Sequence, residues 1–175
     1  MRVLTSNNAI LLWHDTLKCA EDRCSISLND ELEAYLVSLL MRYTNRPDVF
    51  KKVLAAAFLS AMQKSAAERQ VSLQSIGDEC LIFAGLFPRI AEKRNVKIGY
   101  FVDLGQSAYA TLSRQTNDLF GILAFKFVTL MDVLQSIRPH ADLLPLEAYE
   151  QWNEVGSQYA LKILRDCTRG MPIKR

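Results

Sequence analysis

A regular spacing of apolar residues between positions 28 and 43 constrains the fold of this chain more than any other feature of the sequence. The segment SLNDELEAYLVSLLMRY places large apolar residues at i, i+4, i+7, i+8, i+11, i+12 and i+15. They are Leu28, Leu32, Tyr35, Leu36, Leu39, Leu40 and Tyr43. This 3.6-residue period puts them in one stripe along an α-helix. Because an isolated amphipathic helix is marginal in water, the stripe has to pack against other elements.

Comparable patterns along the rest of the chain predict further helices and no buried strand. We expect helices over residues 8–21, from Pro47 to about 70, from an N-cap at Ser72 to Pro88, over 99–114, from a cap at 116 or 117 to 137, and over 145–168. After Pro88 the chain either kinks or begins a short helix over 88–94. The sequence therefore predicts an all-α, single-domain bundle of six to seven helices over residues 1–175.

The segment LFGILAFKFVTLMDVL, residues 119–134, is apolar on nearly every side of its predicted helix. Only Lys126 and Asp132 interrupt it with charge, and it is too short and too polar to span a membrane. A helix that is apolar all round normally lies at the centre of a bundle. We therefore expect this helix to be the central one.

Net charge and cysteine content exclude few classes of function. They do not favour a protein that binds nucleic acid or anionic lipid through a strong electrostatic field. The net charge of +2 provides no strong field for nucleic acid or anionic lipid, although residues 42–52 and 86–97 each carry four basic residues and one acidic residue. We interpret these segments as solvated helix ends and loops. The four cysteines include no C-x-x-C pair, and two histidines are too few for the usual zinc grouping, so no metal or cofactor is expected. Cys80 and Cys167 fall within apolar helical patterns and are predicted to be core residues.

The stretch SIGDECLIFAGLFPRI, residues 75–90, contains an acid pair inside an otherwise apolar run. On a helical wheel, one side gathers apolar and small residues, with Gly77 placed for close helix contact. The opposite stripe holds Asp78, Ile82, Gly85 and Arg89. Either this stripe is covered by another helix or a second subunit and Asp78 is buried with a partner, or Asp78 and Glu79 mark a solvated helix start.

If Asp78 is buried, its candidate partners are Arg89, Tyr100, Tyr109 or a backbone N–H of a neighbouring helix. The next helix has a similar build: an inner face with a glycine at a contact position and an outer face that begins at Asp103. An acid–base pair of Asp78 with Asp103 is a weak hypothesis, since no histidine accompanies the two acids. The candidate functional or interface positions are Asp78, Gly85, Arg89, Tyr100, Asp103 and Tyr109.

Between positions 70 and 137 the chain resembles a family of uncharacterised bacterial all-helical proteins in the order of its small, aromatic and acidic residues. The family pattern is a Gly-Asp, a Leu-Phe, a Gly-x-Phe-Pro, an aromatic pair, a Gly, an Ala-Tyr and a helix rich in Phe and Leu. Arg89 stands where the family pattern usually has an acid after the proline. The resemblance implies bacterial origin and a helical fold, and it implies no activity. The matching positions are Gly77, Asp78, Gly85, Phe87, Pro88, Tyr100, Gly105, Ala108 and Tyr109.

Two main hypotheses about function follow from these features. The first is a non-enzymatic interaction module that acts as a homodimer, because the helix before Pro88 is apolar on two sides. The second is a bundle that binds a small molecule between aromatic residues, with Asp78 as a polar anchor. An enzyme based on carboxylates is less favoured because no catalytic motif occurs, and a nucleic-acid reader lacks a recognition motif. With no signal-peptide pattern at the N-terminus, we expect a cytoplasmic protein with reduced thiols.

Overall fold

The computed structural model describes residues 6–44, 53–89, 96–114, 118–138 and 143–168. These residues form nine helices and no strand, which confirms the all-α fold class. The helices are α1 (Ser6–Cys24), α2 (Asp30–Thr44), α3 (Leu54–Met62), α4 (Ala66–Leu86), α5 (Ile98–Ser113), α6 (Asp118–Phe125), α7 (Phe127–Gln135), α8 (Pro145–Val155) and α9 (Gln158–Thr168).

Helix α4 contains the longest run of buried residues among the described helices, since its ten consecutive residues 76–85 are all buried. It packs against α3, α5 and α7, and its long apolar run is therefore covered from several directions. The prediction that residues 119–134 form the central helix is wrong for the α6 half. There, Phe125 is 82% exposed and only Leu123 is buried, whereas α7 is buried over most of its length.

Two glycines of α4 allow neighbouring helices to approach closely. A Cβ atom added to Gly77 would lie 2.5 Å from a ring carbon of Tyr109 in α5. A Cβ added to Gly85 would lie 2.5 Å from Cβ of Leu134 in α7. Real Cβ atoms do not approach other atoms this closely, so both positions require glycine at the present helix spacing. The predicted role of Gly77 in close helix contact is confirmed.

The boundary between α3 and α4 was predicted seven residues too late. We expected one helix to run to about residue 70 and the next to begin with Ser72 as its cap; instead, α3 ends at Met62 and α4 begins at Ala66. The start of α4 carries a Ser-x-x-Glu pattern, in which the Ser65 hydroxyl donates to Glu68 at 2.9 Å. Val71, the residue before the expected cap Ser72, is 72% exposed on the helix surface.

Two helices that were predicted to be continuous are each divided. The last one breaks at Gly156, which adopts a left-handed conformation with φ 76° and ends α8. Ser157 then caps α9, because its hydroxyl oxygen accepts the N–H of Ala160 at 3.0 Å. The other break, at Lys126, is a local change in ψ. Helical hydrogen bonds continue across it, because the N–H of Lys126 donates to the carbonyl of Ile122 and the N–H of Leu130 donates to the carbonyl of Lys126.

Some of the remaining predictions agree with the structure, and the prediction that Cys167 is a core residue is wrong. Residues 99–114 were expected to form a helix and correspond to α5; α4 ends just before Phe87 and Pro88. Cys80 is buried, but Cys167 is exposed, since it lies beyond Leu164, the last buried residue of α9. Several predicted helix ends lie outside the described residues, at positions 47, 116, 117 and 170. Most of the short helix expected over 88–94 also lies outside them. Among the described helices, none has both the length and the apolarity needed to cross a membrane.

Candidate functional site

Asp78 lies at the junction of α2, α4 and α5 and is fully buried. The hydroxyls of Tyr35 and Tyr109 both donate to its Oδ1 atom, at 2.5 Å and 2.7 Å. Nη2 of Arg42 lies 3.0 Å from Oδ2 and forms an ion pair with it. Tyr35 and Arg42 stand seven residues apart on α2, so both reach the same side of α4. We call Asp78, Tyr35, Arg42 and Tyr109 the Asp78 cluster.

Burial raises the pKa of Asp78 above its usual value, because the charged form has lost its water. The hydrogen bonds from Tyr109 and Tyr35 and the charge of Arg42 oppose this effect. Burial, followed by the nearby Asp78 charge, also raises the pKa of both tyrosines, so their hydroxyls keep their protons and serve as donors. The cluster therefore acts as a set of fixed donors around one acceptor, which ties three helices together.

The predicted partners of Asp78 are only partly those observed. Tyr109 is confirmed as a hydrogen-bond donor. Arg89 is exposed, and Tyr100 is 39% exposed, so neither belongs to the cluster. Asp103 is exposed on the outer face of α5, and the structure does not bring it to the buried Asp78. The two acids of the weak acid–base hypothesis are therefore not paired with each other.

The two interpretations of the stripe opposite the core face of α4 can now be separated. Other helices cover the stripe at two of its buried positions: α2 covers Asp78, and Leu134 of α7 covers Gly85. The alternative of a solvated helix start is wrong, since Asp78 is fully buried and Glu79 is 7% exposed. The hydroxyl of Ser75 donates to Oε1 of Glu79 at 3.0 Å.

A second buried polar network holds the α8–α9 hairpin to α7, and sequence analysis did not predict it. Asp132 of α7 accepts hydrogen bonds from the Ser157 hydroxyl at 2.5 Å and from the backbone N–H of Gln158 at 2.9 Å. It thereby satisfies donors at the N-terminus of α9. Gln151 donates to Oε1 of Gln135 at 2.8 Å, and Gln135 donates to the carbonyl of Ala84 at 2.9 Å. Burial raises the pKa of Asp132 to about 6.

An open, largely apolar groove of about 730 Å³ lies between α1 and α2. We call it the α1–α2 groove. Ile10 and Leu11, two apolar residues of the first helix, are 42% and 62% exposed along it. The lining residues are Ile10, Leu11, His14, Asp30, Glu33, Ala34, Val37, Ser38, Met41 and Arg42.

A smaller cleft of about 190 Å³ lies beside the Asp78 cluster, between the last turn of α2 and one stripe of α4. We call it the Asp78 cleft. The aromatic residues expected to surround a ligand at Asp78 do not line it; they are Phe83, Phe87, Tyr100, Phe101 and Tyr109. Phe83 and Phe101 stack on each other at 5.3 Å within the core. The lining residues of the cleft are Arg42, Tyr43, Val71, Gln74, Ser75 and Asp78.

Among the described residues, no group of three or more histidine, cysteine, aspartate or glutamate side chains is arranged to hold a metal ion. Comparison of the chain with protein-family models, with curated proteins and with solved structures finds no match.

Proposed function

We propose that this protein is a non-enzymatic helical interaction module that forms a homodimer through the α1–α2 groove. The observation that carries the proposal is the exposure of Ile10 and Leu11 beside an apolar groove formed with Val37 and Met41. Contiguous apolar surface of this kind is typical of a binding site. A groove between two helices accepts a third helix, whose side chains form ridges that fit between them.

The distribution of charge along α2 favours a second copy of the chain as the occupant. Asp30 lies at the start of α2 and Arg42 near its end, and both line the groove. They are about 18 Å apart along the helix axis. When two copies pair with their α2 helices antiparallel, Asp30 of one copy lies opposite Arg42 of the other. A twofold axis repeats this contact, and the two helix dipoles are then also antiparallel.

The Asp78 cluster supports a non-enzymatic role. A general acid or base must come within hydrogen-bond reach of its substrate, and the Oδ1 atom of Asp78 already accepts two tyrosine hydroxyls inside the protein. The exposed candidates Arg89, Tyr100 and Asp103 are not joined to this carboxylate. We assign the cluster to the stability of the scaffold that presents the groove.

The proposal is tested by the molar mass in solution of two variants with matched exposure. Leu11→Glu places a charge in the groove, whereas Leu146→Glu places the same charge on α8 outside it, where the leucine is 69% exposed. Size-exclusion chromatography with light scattering should give a dimer for the natural chain and for Leu146→Glu, and a monomer for Leu11→Glu. A monomeric natural chain, or a Leu11→Glu dimer, would contradict the proposal.

A further inference from the structure

Two buried glutamates share one lysine beside the α1–α2 groove. Glu21 of α1 and Glu33 of α2 are both buried. Nζ of Lys18 forms an ion pair with Oε1 of Glu33 and lies 3.4 Å from Oε2 of Glu21. The hydrogen bond to Glu33 raises the pKa of Lys18, so the lysine keeps its charge at all ordinary pH values. Two carboxylates and one ammonium group therefore leave one negative charge without a matching positive charge.

His14 is the residue that can supply this positive charge. Its Nε2 atom lies 3.5 Å from Oε2 of Glu33, and both residues line the groove. Nδ1 of the same ring lies 3.8 Å from the exposed carboxylate of Asp15. Histidine is the side chain that ordinarily gains or loses a proton between pH 5 and 8. When His14 binds a proton, the group formed by His14, Lys18, Glu21 and Glu33 becomes neutral; we call these four residues the His14 cluster.

The other charges around His14 lie towards the ends of the groove and of α1. Asp30, in the first turn of α2, lines the groove about one helical turn from Glu33, and Arg42 lines the opposite end, where it is already ion-paired. The C-terminal end of α7 and helix α9 form hydrogen bonds with Arg23 of α1, about 13 Å along the helix axis from His14. The carboxylates of Asp30 and Glu33 therefore favour the protonated imidazole.

The proposed dimer provides no positive charge for Glu33. When the α2 helices pair antiparallel as proposed, Glu33 lies level with position 39 of the other copy. The groove residues nearest to that level are Ser38 and Met41, and both are uncharged. A second copy therefore excludes water from the groove without adding a cation beside Glu33, and burial of an unbalanced charge is costly. Protonation of His14 removes the imbalance.

We propose that protons strengthen the pairing of two copies through the α1–α2 groove, and that His14 is the residue that takes up the proton. The inference rests on the proposed dimer and adds its regulation. Because coupling between two binding events is reciprocal, a dimer that favours protonated His14 is itself favoured by protons. The dimer should therefore be tighter at pH 6 than at pH 8.

Sedimentation equilibrium of the natural chain at pH 6 and pH 8 tests the inference. The dissociation constant of the dimer should be at least about tenfold lower at pH 6. His14→Gln keeps a polar side chain that cannot be charged, and this variant should associate at both pH values as weakly as the natural chain does at pH 8. His140→Gln removes the only other histidine of the chain, at a position outside the described residues, and should keep the full pH dependence.

The outcomes distinguish this inference from the proposed function. A natural chain that dimerises equally well at both pH values, or more tightly at pH 8, overturns the role of His14 and leaves the dimer in place. The same conclusion follows if His14→Gln retains the pH dependence or if His140→Gln abolishes it. A natural chain that is monomeric at both pH values overturns the proposed dimer and this inference together.

Discussion

Asp78 receives two tyrosine hydroxyls and one arginine, and these contacts come from helices far apart in sequence. Tyr109 was predicted as a partner because it flanks the inner face of the next helix. Tyr35 and Arg42 were missed, since Tyr35 fits the apolar stripe of α2 and Arg42 resembles an ordinary basic residue at a helix end. Only the packing of α2 against α4 shows that the two face a carboxylate. Pairings across long sequence separations are not encoded in local periodicity.

Removing one donor from this cluster should destabilise the protein. Tyr109→Phe deletes the hydroxyl that donates to Oδ1 of Asp78 and leaves the ring in place. We expect the free energy of unfolding to fall by about 1–3 kcal/mol, because a buried carboxylate loses a hydrogen bond. Urea denaturation followed by circular dichroism measures it. Tyr100→Phe, at a partly exposed position on the same helix, should change the value by less than about 0.5 kcal/mol.

The contribution of Asp132 should depend on pH in a defined direction. Its pKa in the folded protein is raised to about 6, whereas the unfolded value is about 3.8. The folded state therefore binds the proton more tightly, and stability increases as pH falls from about 6 towards 3.8.

Comparison with Asp132→Asn isolates this effect. From pH 7.5 to pH 4.5, the natural chain should gain about 2 kcal/mol in unfolding free energy relative to the variant. Parallel urea titrations at both pH values give the difference. A difference between the two proteins that is the same at both pH values would contradict the assignment of the raised pKa to Asp132.

At the level of elements, the positions of long amphipathic helices could be predicted, but their interruptions could not. Periodicity located α2 and α5, whose apolar faces are long and uninterrupted. The division between α8 and α9 depends on a single glycine with positive φ followed by a serine cap, and this short signal lies inside a pattern that otherwise continues. Similarly, Ser65 and Ser72 are both plausible caps, and only tertiary packing decides between them.

Close packing of α4 against α5 gives a test at this scale. Gly77→Ala adds a Cβ that would overlap the ring of Tyr109, so we expect a loss of at least about 2 kcal/mol in unfolding free energy. Gly99→Ala, in α5, meets its nearest atom at 3.6 Å and should be neutral or stabilising by up to about 1 kcal/mol. Thermal denaturation of the two variants ranks them directly. Equal effects would show that the helices can separate at little cost.

For the whole molecule, composition and periodicity were sufficient to predict an all-α bundle, but not which apolar residues stay outside it. Ile10 and Leu11 belong to the same apolar pattern as Leu17 and Ala20, yet only the latter two are buried. The reason is that α1 is covered by α2, α7 and α9 near its C-terminal half, a property of the assembled fold. Because the N-terminal half of α1 stays exposed, its apolar residues are available for the contact of the proposed dimer.

The charge pattern of the proposed dimer can be tested by reversing one acid. Asp30→Arg places like charges opposite each other in the antiparallel arrangement and should weaken dimerisation at least tenfold at low ionic strength, with less effect at high salt. Asp118→Arg makes the same change in the first turn of α6 and serves as the matched control. Sedimentation velocity at two salt concentrations measures both. Equal weakening by the two variants would rule out the antiparallel charge contact.

The most direct test of the account is sedimentation equilibrium of the natural chain at micromolar concentrations. Self-association through the α1–α2 groove predicts a molar mass approaching twice the 19.9 kDa of one chain as concentration rises. The Leu11→Glu variant should remain at the mass of one chain over the same range, with an unchanged circular dichroism spectrum. A natural chain that stays at 19.9 kDa throughout would contradict the proposal that this groove holds a second copy.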